Sequence, residues 1–171
     1  MKKHLAILLL AAGIPASTAA AGSASISAQP SISIAGFGRY LTQKTGESFP
    51  TPQTAAGRTV VISRPRLINR TNVIFGQLGR EFGVEIDLHG FGEGPVRLTI
   101  RTVHPPLTNP ETGRTTQVSE YGQDVEKRRN VYFGFTFSRR WELAEGVWVK
   151  QFLYRGRLLA QQRFRIVIPI N

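Results

Sequence analysis

Apolar and polar side chains alternate in several short stretches of the chain, with the two-residue period of a β-strand. The alternation is clearest near the C-terminus, over 146–154 and 157–168, and predicts a hairpin that turns at Arg155 and Gly156. The apolar face of the second strand carries Leu158, Ala160, Phe164, Ile166 and Ile168. In the first strand, Lys150 shares a face with three aromatic side chains. This hairpin is the strongest strand signal in the chain.

Further short strands are predicted over 32–41, 58–68, 73–75, 82–88, 96–103 and 131–137. Pro65 cannot donate to a β-ladder, so it marks an edge strand or a bulge. The chain has no amphipathic segment long enough for a major helix. Seven or eight short antiparallel strands without a helix favour an immunoglobulin-like β-sandwich. A closed β-barrel is the alternative.

Two segments lack a strand period. Residues 42–57 are rich in Thr, Pro, Gly and Gln and predict a loop, and 104–130 predict a long connection that is functional or partly disordered.

Two of the predicted strands have polar faces of opposite charge. The strand over 82–88 has acids on its polar face, and the strand over 96–103 has arginines on its polar face. If those two strands pair, the charges form a cross-strand ion ladder.

The N-terminus has the pattern of a secretory signal peptide over 1–21. Charged Lys2 and Lys3 precede an apolar run, which ends before small residues at 19–21. We therefore expect a periplasmic or secreted protein, with a flexible lead-in over 22–31 and one β-sandwich domain over 32–171. No later stretch approaches the roughly 20 apolar residues of a transmembrane helix. The chain has no cysteine, which excludes thiol catalysis and zinc–thiolate sites.

Several sequence motifs carry a family resemblance. They are FGVEIDLHGFGEGPVRLTI, PPLTNPETG, FGFTF and WELAEGVWVKQFLYRGRLLAQQRFRIV. Over about 34–167 the chain resembles a family of uncharacterised bacterial secreted proteins, defined by the domain of unknown function DUF3859. The closing motif is also similar to the last hairpin of many bacterial immunoglobulin-like domains. The resemblance therefore implies the fold, and it implies no activity, catalytic residue or cofactor.

Motifs for catalysis or metal binding are absent from the sequence. No G-x-S-x-G, H-E-x-x-H or S-x-x-K occurs. His89 and His104 are sparsely spaced and are most simply structural, and the acids at 120, 124 and 126 are most simply solvated. We expect no catalytic residue, metal or cofactor. A deep pocket that gathered His104 with Glu120 or Asp124 would instead favour a hydrolase.

Positive charge is concentrated in the last quarter of the chain. The full chain carries a net charge of +11, and residues 127–171 hold ten basic residues against two acidic ones. Such a surface attracts phosphates and acidic polysaccharides, whereas nucleic acid is a poor target for an exported protein. The candidate residues for an anionic partner are Lys127, Arg128, Arg129, Arg139, Arg140, Arg155, Arg157, Arg163 and Arg165. A solvated strand face is the simpler interpretation of the same charges.

These observations predict a non-catalytic binding or accessory protein of the cell envelope. The partner would contact the basic face or the long connection over 105–130. The alternative is a protein–protein assembly module that uses the edge near Pro65 or an apolar patch. An unrecognised hydrolase is a third hypothesis.

Overall fold

The computed structural model describes residues 29–169, apart from the side chains of 44–45 and 60–64. The strands in this range are β1 (Ser31–Pro50), β2 (Arg58–Asn69), β3 (Val73–Phe75), β4 (Glu81–His89), β5 (Val96–Thr108), β6 (Thr115–Val125), β7 (Val131–Thr136), β8 (Gly146–Tyr154) and β9 (Arg157–Val167). A 3₁₀ helix, Arg140–Glu142, lies between β7 and β8. The predicted signal peptide and most of the predicted lead-in lie outside the described residues.

The strands form two sheets that pack face to face. One sheet has the order β2-β1-β4-β7 and the other the order β3-β9-β8-β5-β6. All pairs are antiparallel except β3 with β9, which is parallel. Both sheets have open edges, so the architecture is the predicted sandwich and not the closed alternative, and Pro65 lies in the edge strand β2 as expected. No helix within the described range is long and apolar enough to cross a membrane.

An aromatic cluster fills the centre of the core. Phe82 of β4 is almost fully buried, and its ring lies 5.0 Å from that of Phe164 and 5.9 Å from that of Trp148. Phe135 and Phe137 complete the cluster from β7 and the residue that follows it. The centroid separations are within the range of attractive ring pairs. The alternation of apolar and polar residues predicts that these five aromatic side chains face the core, and this prediction is confirmed.

Both segments expected to be loops contain strand. β1 continues to Pro50 and pairs with β2, so most of the predicted loop 42–57 is a hairpin arm. The predicted connection 104–130 is also wrong in large part, because β5 extends to Thr108 and β6 pairs with it. β6 is an edge strand whose side chains are mostly exposed or half-buried. A strand in that position needs no apolar face, so its sequence shows no clear period.

The predicted ion ladder between 82–88 and 96–103 is not formed, because β4 and β5 belong to different sheets. The arginines of β5 pair with β6 instead. Arg97 lies 2.8 Å from Asp124, and Arg101 lies 2.6 Å from Glu120. Asp124 and Glu120, which were expected to be solvated, are therefore the ion-pair partners of the β5 arginines.

A β-bulge near the start of β9 changes which side chains share a face. Phe152 pairs with Ala160 and Leu153 pairs with Leu158, so Leu159 is an extra residue in β9. Leu158 consequently lies with Leu153 on the outer face and is 45 % exposed, although the period predicted it to be in the core. The period also predicts that Arg157 shares a face with Arg163 and Arg165, and the bulge places Arg157 on the opposite face.

The β8–β9 turn has the backbone that a two-residue hairpin requires. Arg155 has φ 50° and Gly156 has φ 78°. Positive φ at both central positions is the type I′ geometry, which matches the twist of the flanking strands. The predicted turn at these two residues is confirmed.

Candidate functional site

A cavity of about 300 Å³ lies between the two sheets, near the edge strands β6 and β7. Its walls come from the inner faces of β5 and β8, from β7 and the 3₁₀ helix, and from the tip of the β1–β2 arm. Apolar wall residues include Leu107, Phe135 and Trp141. Pockets that bind small molecules combine such walls with a few convergent polar groups.

The tip of the β1–β2 arm closes one side of the cavity. The backbone N–H of Ala55 donates to Ser119 Oγ at 3.3 Å, and the Asn109 amide donates to the Ala55 carbonyl at 3.2 Å. Arg114 donates to the Pro52 carbonyl at 2.6 Å. The arm thus reaches from one sheet to the edge strand of the other, because β1 is long enough to extend beyond its partner β4.

Lys150 projects into this cavity from β8. It has the same inner-facing register as Trp148 and Phe152, and it is 3 % exposed. Its Nζ donates to the carbonyl oxygen of Gly134 at 3.3 Å. No carboxylate among the described side chains lies within ion-pair distance of it. Burial lowers the pKa of the Lys150 ammonium to about 8, because the charged form loses hydration.

His104 and Ser119 form a second polar group in the cavity wall. Nδ1 of His104 lies 2.8 Å from the Pro105 carbonyl oxygen, which can only accept, so Nδ1 carries the hydrogen. Nε2 then accepts from the Ser119 hydroxyl at 3.1 Å. Burial lowers the pKa of His104 and favours the neutral ring, which packs on Trp148 with 5.0 Å between centroids.

Two carboxylates in the cavity wall are bound by donors of the protein. Glu81 accepts from Thr42 Oγ1 at 2.6 Å and from the Tyr132 hydroxyl at 3.1 Å. Burial and the neighbouring Glu81 raise the pKa of Tyr132, so it stays a donor. Glu142 accepts from the backbone N–H groups of Ser138 and Arg139 at 2.6 and 2.8 Å.

The residues predicted for an anionic partner are divided between two ends of the sandwich. The group near the β8–β9 turn comprises Lys127, Arg128, Arg129, Arg155 and Arg157. They lie at one end because Arg128 bonds to the Gly92 carbonyl at 2.9 Å and Phe91 packs on Tyr154. The group near the start of β8 comprises Arg139, Arg140, Arg163 and Arg165.

Several of these basic side chains have contacts within the fold. Arg128 bonds to the carbonyls of Val125, Glu126, Gly92 and Gly94. Arg157 donates to the Pro30 carbonyl at 3.1 Å, and Arg155 lies over the Tyr154 ring. Arg139 is 4.0 Å from Glu111. These contacts reduce the set that is free to bind a partner.

Arg163 and Arg165 are exposed on the outer face of the five-stranded sheet, beside Val149 and Val147. Within residues 29–169, neither arginine has a carboxylate at ion-pair distance. The structure therefore brings together two of the nine predicted residues on one open strand face.

The cavity gathers His104 with Ser119, and not with Glu120 or Asp124, which bind arginines of β5. His89 instead bonds to Ser33 at 2.9 Å. No group of three or more His, Asp or Glu side chains in the described part of the chain could hold a metal ion.

Ser119 and Glu81 are cavity residues that the sequence pattern does not reveal. Ser119 lies in a strand without a visible period, and Glu81 precedes the predicted strand 82–88. Two other cavity residues did stand out in the sequence: Lys150 shares a register with aromatic residues, and His104 is a candidate pocket residue.

Comparisons with known proteins agree on family and fold. The sequence profile of the domain of unknown function DUF3859 matches residues 34–166. The fold is similar to the crystal structure of an immunoglobulin-like protein from Pseudomonas aeruginosa, with a TM-score of 0.60 and 21 % sequence identity. That match covers 83 % of this chain and 99 % of the other. No curated protein matches the sequence.

Proposed function

We propose that this chain, which belongs to the family defined by the domain of unknown function DUF3859 and has an immunoglobulin-like fold, is an exported, non-catalytic binding protein of the bacterial cell envelope. The leader pattern over 1–21 supports export to the periplasm or beyond. The satisfied hydrogen bonds of His104 and Ser119 support a structural role for the pair, since Ser119 Oγ also accepts the Ala55 N–H.

The surface that best supports binding is the outer basic patch, which we define as Arg163 and Arg165. Both side chains are exposed on the outer face of the five-stranded sheet, and neither is neutralised by a described carboxylate. Val147 is paired with Arg165 and is 47 % exposed. An arginine fork matches phosphate and carboxylate oxygens, and the adjacent valine can contact an apolar chain.

The partner with this chemistry is an anionic component of the envelope, such as a phosphorylated glycolipid or an acidic polysaccharide. Each arginine near an anionic surface contributes about 1 kcal/mol of attraction at moderate salt. Two such residues should change affinity by about tenfold or more. The attraction should weaken as salt screens the charges.

The test compares two double variants with the same loss of charge. Arg163→Ser with Arg165→Ser removes the outer basic patch, whereas Lys127→Ser with Arg129→Ser removes two exposed charges at the other end. Binding to vesicles that contain an anionic phospholipid, and to immobilised lipopolysaccharide, is measured at low and high salt. We expect the first variant to lose about tenfold in affinity and the second to lose less than about twofold. Equal losses, or no loss in the first variant, would contradict the proposal.

A protein–protein assembly module is the second candidate function. Exposed apolar side chains of β3 support this candidate. Val73 and Phe75 are 40 % and 57 % exposed, and Val73 pairs with Arg165 of the outer basic patch. Assembly through these apolar side chains should persist at high salt, since burial of apolar surface does not depend on charge. A size-exclusion mass above that of a monomer at both salt concentrations would favour this candidate.

A further inference from the structure

Lys150 is a buried cation whose hydrogen-bonding capacity is largely unused. A primary ammonium has three N–H donors. In the described structure it makes one hydrogen bond, 3.3 Å long, to the neutral carbonyl of Gly134. A buried charge without a charged partner is costly, so such groups are normally paired. The unpaired ammonium lies at the wall of a cavity of about 300 Å³.

We propose that the cavity is a binding site for a small monocarboxylate with an apolar body, whose carboxylate pairs with Lys150 Nζ. The ligand would supply the negative charge that the described protein groups do not place beside this ammonium. This site is separate from the outer basic patch, which lies on the opposite face of the same sheet.

Two carboxylates of the wall, Glu81 and Glu142, are already bound by the protein. The oxygens of Glu81 accept two hydroxyl hydrogens, and Glu142 accepts two backbone N–H groups. Arg139 lies near Glu111, outside the buried part of the wall. Arg58 is exposed and donates to Ser48 Oγ at 2.6 Å. Lys150 is therefore the buried charged group of the cavity with the most capacity to bind a ligand.

The remaining wall sets the size and polarity of the ligand. Phe135, Trp141 and Leu107 offer apolar contact, and a volume of about 300 Å³ is at the small end of ligand pockets. A phenyl ring or a short aliphatic chain fits this description. A doubly charged phosphate fits it less well, because one ammonium cannot balance two charges in an apolar enclosure.

The test uses the folded full-length mature protein and amide NMR titrations. The probes are acetate, benzoate and phenylacetate, with benzamide as a neutral counterpart and inorganic phosphate as a divalent one. We expect millimolar or tighter binding of benzoate or phenylacetate, with shifts at Ala55, Ser119 and Lys150. Benzamide and phosphate should bind at least about tenfold more weakly.

The variant Lys150→Met removes the charge and keeps the side-chain length. We expect it to bind the carboxylates at least about tenfold more weakly, whereas Arg163→Ser on the outer face should change their affinity less than about twofold. Retained binding by Lys150→Met, equal binding of benzamide and benzoate, or no cavity shifts with any of the three carboxylates would each overturn the proposal. If Lys150→Met fails to fold, the pKa of Lys150 in the wild type is measured from its Nζ chemical shift, with and without benzoate. A bound carboxylate must raise this pKa, so an unchanged pKa would overturn the proposal.

Discussion

Replacing Lys150 with methionine should stabilise the protein at neutral pH. The ammonium is 3 % exposed, and burial lowers its pKa from 10.5 to about 8. Because each pKa unit corresponds to about 1.4 kcal/mol, the buried charge costs about 3 kcal/mol at pH 7. The variant loses the hydrogen bond to Gly134, worth about 1 kcal/mol. The expected net gain in unfolding free energy is therefore about 2 kcal/mol.

The pH dependence separates this explanation from a simple packing effect. Below the folded-state pKa of about 8, Lys150 is protonated in both the folded and the unfolded chain. The full cost of the buried charge therefore applies in this range. Between about 8 and 10.5 the unfolded chain binds more protons, so wild-type stability rises with pH. At about pH 9.5 the cost has fallen by about 2 kcal/mol, and the variant should be no more stable than the wild type.

Urea unfolding of both proteins at pH 7 and about pH 9.5 measures this difference. The difference in unfolding free energy between variant and wild type is taken at each pH, so the effect of other titrating groups, which both chains share, cancels. A variant that is less stable than the wild type at pH 7, by the same amount at both pH values, would refute the reasoning. Such a result would mean that the ammonium is well paired in solution.

Two further predictions follow from the corrected side-chain placements. Arg128→Ala should lower the unfolding free energy by about 1–3 kcal/mol, because the guanidinium bonds four backbone carbonyls, whereas exposed Arg129→Ala should cost less than about 0.5 kcal/mol. Similar urea midpoints for these two variants would argue against the loop contacts. Phe164→Ala should cost about 3–5 kcal/mol, but Leu158→Ala should cost less than about 0.5 kcal/mol because the bulge exposes it. A large loss of thermal stability in Leu158→Ala would show that the bulge is misplaced.

Some features of the candidate sites could be predicted from the sequence. The concentration of positive charge in the last quarter identified Arg163 and Arg165, which the structure leaves exposed. The register of β8 placed Lys150 with the aromatic core residues, where it is indeed buried. The cavity itself could not be predicted, because Ser119, Glu81 and Lys150 come from three strands in two sheets.

The sequence by itself determined the fold class, most of the strands and the position of the turn at Arg155 and Gly156. These properties depend on local rules: side chains alternate along a strand, and a tight turn favours glycine because glycine adopts positive φ readily. Only the tertiary structure decided that β5 pairs with β6, that a bulge reverses the face of Leu158, and that Lys150 borders a cavity. Strand partners and bulges are set by competition among long-range contacts, and neighbouring residues in the sequence do not encode that competition.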